Sequence, residues 1–331
     1  MFEALRRYGA HRRLPAVTAA LVVLGLLLWW LWPREEPPTG TITISTGTEK
    51  GVYHEYGNRL RNAIHEDMPG LKVELRPSEG SQENVKRVAD GGADFAIAAA
   101  DAVEAYRQNR QPGHERLRGI ARLYDDYVQL VVSRASGIEE IKDLEGKRVG
   151  VGPDDSGVRL IADRVLRAAG LDPRQDVVPE ADSIAEGPER LRSGGIDAFF
   201  WSGGLPTDGL EKLVESDDFR FVEIDAATVD SLHEQDDVFG HYRSSVMPAD
   251  AYGSGRPGHP IQTLTVANLL ITRADVDPRL TEWLTRTVIN SRDDIGSHVH
   301  SAQFVDLRTA IYTDPVNLHE GARRYYRSVK P

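Results

Sequence analysis

Three short loops hold the residues of this chain best suited to grip a small molecule. The first, Thr46-Gly47-Thr48-Glu49-Lys50-Gly51-Val52-Tyr53, has glycines that admit close backbone approach, hydroxyls that hydrogen-bond, and a lysine able to pair a carboxylate or point to solvent. The second runs Ser78-Glu79-Gly80-Ser81-Gln82-Glu83-Asn84, where Ser81 suits a helix N-cap with Asn84 three positions on, and the same polar atoms can face a ligand instead. The third is Gly152-Pro153-Asp154-Asp155-Ser156-Gly157. Each follows a strand-like run and opens a helix-like one. Helix N-termini carry unpaired N–H groups and a partial positive charge, so loops of this kind hold anions and carboxylates without needing a basic side chain.

Catalytic and cofactor patterns are missing from the same loops. The first lacks the glycine spacing and Gly-Lys-Ser/Thr ending of a Walker A loop, and the third reads Gly150-x-Gly152 with its next glycine only at Gly157, which breaks the dinucleotide fingerprint at Asp155. There is no Gly-x-Ser-x-Gly elbow, no His-Glu-x-x-His helix and no calcium-loop signature. The ten histidines are scattered, and the absence of cysteine excludes thiol nucleophiles, cysteine metal sites, heme attachment, lipid attachment through cysteine and disulfides. The expectation is a non-enzymatic binding protein with no metal and no cofactor.

The elements that must position these loops alternate along the chain. Strand-like runs are Thr41 to Ser45, Lys72 to Arg76, Asp94 to Ala98, Gly119 to Tyr124, Val128 to Ser133, Arg148 to Val151, Asp197 to Phe200, Phe219 to Ile224 and Leu264 to Ile271. Helix-like stretches fall at Tyr53 to Glu66, Asn84 to Ala89, Gly157 to Ala169, Pro188 to Ser193, Leu280 to Asn290 and His319 to Val329. This order argues an α/β architecture with largely parallel sheets. The strand-loop-helix start at Thr41 is echoed about a hundred residues on, around Arg148, which suggests two α/β lobes, each offering helix N-termini to a shared cleft.

The N-terminus sets the compartment. Leu14 to Trp32 carries no charge, follows Arg6, Arg7, Arg12 and Arg13, and precedes Arg34, Glu35 and Glu36. As a helix it reaches roughly 28 Å, close to the hydrocarbon thickness of a bilayer. The positive-inside bias puts residues 1–13 in the cytoplasm, residues 14–33 in the membrane as an uncleaved single-pass anchor, residues 34–40 in a linker, and the rest outside. The whole chain has a net charge of −11, and the four arginines lie in the N-terminal segment, so the remainder is more acidic still and ill suited to nucleic acid.

With these pieces in order, the chain resembles the solute-binding subunits of TRAP transporters of the TAXI family. The resemblance runs through Thr46-Gly47, Gly51-Val52-Tyr53, Gly80-Ser81 with Asn84, Ala93-Asp94 with Asp101, and Arg122-Leu123-Tyr124. It continues through Asp143-Leu144, Gly146-Lys147-Arg148-Val149, Gly152 with Ser156-Gly157, Gly195-Ile196-Asp197-Ala198-Phe199-Phe200, Gly204 with Pro206, and Pro248 with Tyr252. It implies a periplasmic-binding-protein type II fold of two hinged α/β lobes, lobe one from 41–126 and 247–331 and lobe two from 127–246. It further implies capture of a small carboxylate or amino acid, such as glutamate or glutamine, for an ion-coupled TRAP-type membrane permease. On that pattern Thr46, Gly47, Gly51, Val52, Tyr53, Ser81 and Asn84 meet the ligand from lobe one, with Lys50 added by its charge, and Asp155, Ser156, Gly157, Val158, Trp201 and Gly204 from lobe two. A sensor docking on a membrane signalling protein, and an exported hydrolase, are the readings from other classes. The chain departs from the family pattern at Glu49, Lys50 and His54, and in the alanines before Asp101.

Overall fold

Strand and helix alternate from Gly40 onward: β1 (Gly40–Ser45), α1 (Val52–Asp67), β2 (Leu71–Arg76), α2 (Ser81–Asp90), β3 (Phe95–Ala99), α3 (Ala100–Gln108), β4 (Leu117–Ser133) and β5 (Arg148–Gly150). There follow α4 (Gly157–Ala168), β6 (Val178–Glu180), α5 (Gly187–Arg192), β7 (Ala198–Gly203), α6 (Asp208–Val214), β8 (Phe219–Val222), α7 (Ala226–Gln235) and β9 (Tyr242–Met247). The chain closes with β10 (Ile261–Arg273), α8 (Pro278–Asn290), α9 (Arg292–His298), α10 (Leu307–Ala310) and α11 (Glu320–Ser328). The computed structural model describes residues 21–23, 36–235, 240–252, 259–299 and 305–330. The chain separates into Met1–Pro37 and a compact unit from Pro38.

Of the expected anchor, Leu21–Val23 are helical and exposed, and the rest of 14–33 lies outside the described residues. Among the described residues no helix is long and apolar enough to cross a membrane.

Local sequence explains the main helices. In α1 the buried Tyr56, Leu60 and Ile64 recur every fourth residue and make one apolar stripe, with Gly57 admitting Thr46, whose Cγ2 would stand 2.6 Å from an added Cβ. Ser156 caps α4 by accepting from Arg159 N, and Asp277 caps α8 by accepting from Arg279 N and Leu280 N, with Pro278 in its first turn.

The strands form one hydrogen-bonded sheet in the order β2-β1-β3-β10-β4-β7-β5-β6, with β8 on β4 and β9 on β10. β1 is parallel to β2 and β3, and β5 to β6 and β7, but β10 runs antiparallel to β3, β4 and β9, and β4 antiparallel to β7 and β8. The sheet is therefore mixed, not largely parallel. The expected break between Gly119–Tyr124 and Val128–Ser133 does not occur: both belong to the 17-residue β4. Its polar Asp125-Asp126-Tyr127 stays in the ladder, with Asp126 opposite Val266 and Tyr127 opposite Thr265.

That polar step is where the apolar packing changes hands. On one side, Ile42, Ile44, Tyr56, Leu60, Leu123, Tyr124, Leu270 and Val288 share a core. On the other, Val128, Leu130, Val132, Val149, Ile161, Val165, Phe200, Leu264 and Val266 share another. Each half also fills the opposite sheet face: in β3, Phe95 and Ile97 join the first core while Ala96 and Ala98 join a separate cluster with Val85 and Val88. Tyr242, Leu264 and Val266 pack with the second core, whereas Leu269 and Ile271 pack with the cluster of Val85 and Val88. Burial of each large side chain is worth about 1.5–3 kcal/mol, which lets a cysteine-free fold stand on its cores.

Candidate ligand-binding cleft

The N-terminal turns of α1, α2 and α4 meet at a cavity between the two halves. Gly47, Thr48, Gly51, Val52 and Tyr53 line it from the first loop, Glu79, Gly80 and Ser81 from the second, and Gly152, Pro153, Ser156, Gly157 and Val158 from the third. Its empty volume is about 690 Å³ with the open solvent at its mouth included.

Direct hydrogen bonds tie the halves together at its rim. Gln82 Nε2 donates to Ser156 O at 2.8 Å and to Asp154 O at 3.2 Å, and Glu83 N donates to Asp155 O at 3.1 Å. Gly80, at φ 139°, approaches so closely that a Cβ there would stand 3.3 Å from Ser156 Cα. A glycine is needed there both for the positive φ and for the approach.

Tyr53 reaches from α1 across the cleft floor. Its hydroxyl donates to Asn268 Oδ1 on β10 and lies 2.9 Å from Ser81 Oγ, which accepts from Ala99 N at 3.0 Å. Burial pushes the Tyr53 phenol well above its ordinary range, so it acts as a neutral hydrogen-bonding group. Trp201 lines the second half and donates from Nε1 to Thr207 Oγ1 at 3.2 Å.

Acids stand out among the remaining lining groups: Asp101, Asp126 and Asp182, with Ser183, Ile184, Ser202, Gly203 and Val266 beside them. Asp101, on the first turn of α3, is paired across the halves. Its Oδ2 accepts from Tyr242 Oη at 2.6 Å and from Arg164 Nη1 on α4 at 3.3 Å, while Oδ1 accepts from Ala102 N at 2.8 Å. Asp182 accepts from Arg190 at 2.8 and 2.9 Å. Asp126 is 3% exposed and its Oδ1 has no hydrogen-bond partner. Burial, against a lowering by the Asn268 side chain, pushes its carboxyl up to about 7.

A model of the NMT1-like family matches residues 44–329. The chain belongs to that family. Among solved structures, this NMT1-like chain resembles a protein of Bordetella bronchiseptica RB50 at 20% identity and TM-score 0.53, over 88% of this chain and 90% of that one. A Listeria monocytogenes protein provisionally described as an L-cystine ABC transporter aligns at 15% identity and TM-score 0.51, over 81% and 99%. The periplasmic aliphatic sulphonate binding protein SsuA of Escherichia coli aligns at 13% identity and TM-score 0.48, over 89% and 84%. What the Bordetella and Listeria structures share with this chain is the α/β fold.

In this NMT1-like chain, nine of the fourteen residues expected from sequence line the cavity: Gly47, Gly51, Val52, Tyr53, Ser81, Ser156, Gly157, Val158 and Trp201. The other five do not. Lys50 and Asp155 are exposed, so neither charge reaches the cleft, and Asp155 contributes through its carbonyl to Glu83. Thr46 is fully buried beneath the loop, 3.4 Å from His54 Nδ1. Gly204 is buried beside the lining and accepts from Thr207 Oγ1 at 2.7 Å.

Asn84 is a structural latch: Nδ2 donates to Thr46 O at 2.6 Å and Ile97 O at 2.7 Å, and Oδ1 accepts from Ser45 Oγ at 2.6 Å and Ser78 Oγ at 2.8 Å. All of its hydrogen-bonding capacity is used in binding loops one and two to β3. Ser81 does not cap α2 either. Gly80 holds that position, which frees the Ser81 hydroxyl for Tyr53 and Ala99. Sequence reasoning missed Asp126, Asp182 and Ser202, which lie outside helix-opening loops and offered no local signal. Among the described residues no group of three or more His, Cys, Asp or Glu could hold a metal.

Proposed function

We propose that this chain is the solute-binding subunit of a membrane transporter, a non-enzymatic receptor that captures a small carboxylate or amino acid between its two halves. One observation carries the reading: the cavity walls come from both halves, and the rim is closed by Gln82 and Glu83 donating across it. A ligand that touches both walls only when they meet stabilises the closed arrangement by its differential affinity. The three helix N-termini supply the N–H groups for a carboxylate, with Tyr53 and Trp201 as the aromatic walls. Family membership supports a receptor over a hydrolase.

The ordered loop resemblance supports the finer assignment to a TRAP-type transporter of the TAXI family, with an ion-coupled permease as partner. The uncharged run Leu14 to Trp32 behind four arginines supports a single-pass anchor, its N-terminus cytoplasmic and the α/β unit extracytoplasmic. The lobes of that receptor would meet at Asp125–Tyr127 of β4 and Val266–Leu269 of β10.

The test is a thermal-shift screen of the full chain, unfolded and refolded to strip bound solute. A ligand at 100 times its Kd adds about 2.7 kcal/mol and raises the midpoint by several degrees. No response to amino acids or carboxylates would refute capture. Removing residues 1–33 should move the protein from the membrane fraction to the soluble fraction of the cell. Equal partitioning before and after removal would refute the anchor.

A further inference from the structure

The electrostatics of the cleft are one-sided. Among the described residues, no Lys, Arg or His side chain lines the cavity. Of its acids, Asp101 has Arg164 and Tyr242, Asp182 has Arg190, and Glu79 is exposed. Asp125, the strand neighbour of Asp126, is satisfied by Arg122 at 2.6 and 2.8 Å and does not line the cleft. That leaves Asp126, buried and lining the cavity, with the neutral Asn268 side chain beside its carboxyl, Oδ1 unpartnered, and no cation supplied by the protein.

Buried without a cation, a carboxyl group avoids the cost of its charge, several kcal/mol, by holding its proton, and a cation that enters beside it favours the ionised form. The opposite potential lies elsewhere in the same cavity, where the first turns of α1, α2 and α4 line it and bring the partial positive charge of helix N-termini. The site thus has a place for a cation and a separate place for an anion. We propose that the ligand is an amino acid or similar ammonium-bearing carboxylate, its cationic nitrogen paired with Asp126 and its carboxylate held at the helix N-termini. This rests on the solute-capture reading and narrows it, excluding dicarboxylates that lack an amine. Lys50, the residue whose charge favoured an anion, is exposed and does not line the cleft.

The experiment compares two probe pools on the refolded full chain by thermal shift, followed by calorimetry on whatever responds. One pool holds the common amino acids, the other glutarate, succinate and 2-oxoglutarate, which keep carboxylates and lack the amine. The expected result is a response to the first pool, with one amino acid bound at least tenfold more tightly than its amine-free counterpart. Asp126→Asn should weaken that binding at least tenfold, and Asp125→Asn should leave it unchanged. The comparison of amine with amine-free probe on the unaltered chain decides the matter even should Asp126→Asn fail to fold. Equal response to the amine-free pool, in the unaltered chain and in Asp126→Asn, overturns this assignment while leaving solute capture standing. No response to either pool overturns both.

Discussion

Replacing Arg164 by Met tests the reading of the buried bridge between α3 and α4. The Arg164 side chain is 8% exposed and that of Asp101 is 1%, so neither charge is solvated, and the two stand 3.3 Å apart. Methionine fills similar volume and leaves the Asp101 carboxylate without its cation. Breaking a buried pair from one side costs about 3–5 kcal/mol. Asp101 would keep the hydrogen bonds from Tyr242 Oη and Ala102 N, which places the loss near the lower end, about 3 kcal/mol. At about 2–3 °C per kcal/mol for a domain of this size, the melting midpoint should fall by about 6–9 °C. Urea unfolding of four proteins, the unaltered chain, Arg164→Met, Asp101→Asn and the double variant, gives the coupling directly. Asp101→Asn in the Arg164→Met background should recover most of the loss, because a neutral amide no longer needs the cation. A loss under about 1 kcal/mol for Arg164→Met, or no recovery in the double variant, would falsify the account of this bridge.

Asp126 makes stability pH-dependent in a defined direction. Its carboxyl titrates at about 7 folded against an ordinary 3.8, with burial as the main cause and the charges of Asp125 and Asp101 adding to it, while Tyr53 and Tyr124 face it as neutral phenols. The folded state therefore keeps a proton that the unfolded chain releases, so this contribution falls as pH rises from 3.8 toward 7 and is flat above. A shift of about three units corresponds to roughly 4 kcal/mol across that window. Asp126→Asn should flatten the dependence between pH 5 and 8 in urea titrations; an unaltered slope would remove Asp126 as its source. Gln82→Ala deletes the two donations to Ser156 O and Asp154 O and should weaken ligand binding by up to about thirtyfold, about 1 kcal/mol per lost bond, while costing little in unfolding midpoint. Binding that stays within twofold would show that these bonds do not hold the halves. Asn84→Ala removes four buried hydrogen bonds at once and, at about 1 kcal/mol each, should lower stability by about 3–4 kcal/mol, a loss that persists when ligand is absent. A variant that melts normally and only binds poorly would return Asn84 to the ligand.

The helix-opening loops were legible because their signal is local. Gly47 to Tyr53 and Gly152 to Val158 announce a strand end, a tight turn and a helix start within a few residues, and the fold places most of them in the cleft. Asp126 could not be read this way. Its meaning comes from lying opposite Val266 and inside a cavity built by segments far apart in sequence, while Asp125-Asp126-Tyr127 alone reads as a turn between two strands. Asn84 misled for a related reason. Its spacing from Ser81 fits a cap, but Gly80 begins the helix and turns Asn84 under the loops toward Ile97 O. Exposed Lys50 shows the converse error, in which a charge in a ligand-like loop points away from the cleft.

The position of β10 also bears on how the chain is made. β3 waits for residues 268–272 and β4 for residues 265–273, yet β3 is complete by Ala99 and β4 by Ser133. Everything from β5 to β9 is synthesised in between. With β10 not yet emerged, β3 and the adjoining part of β4 carry unpaired N–H and C=O groups alongside apolar faces, a combination prone to pair with other chains. The segment made first is thus finished last, and a ribosome-stalled or truncated product ending before Ile261 should aggregate or be degraded.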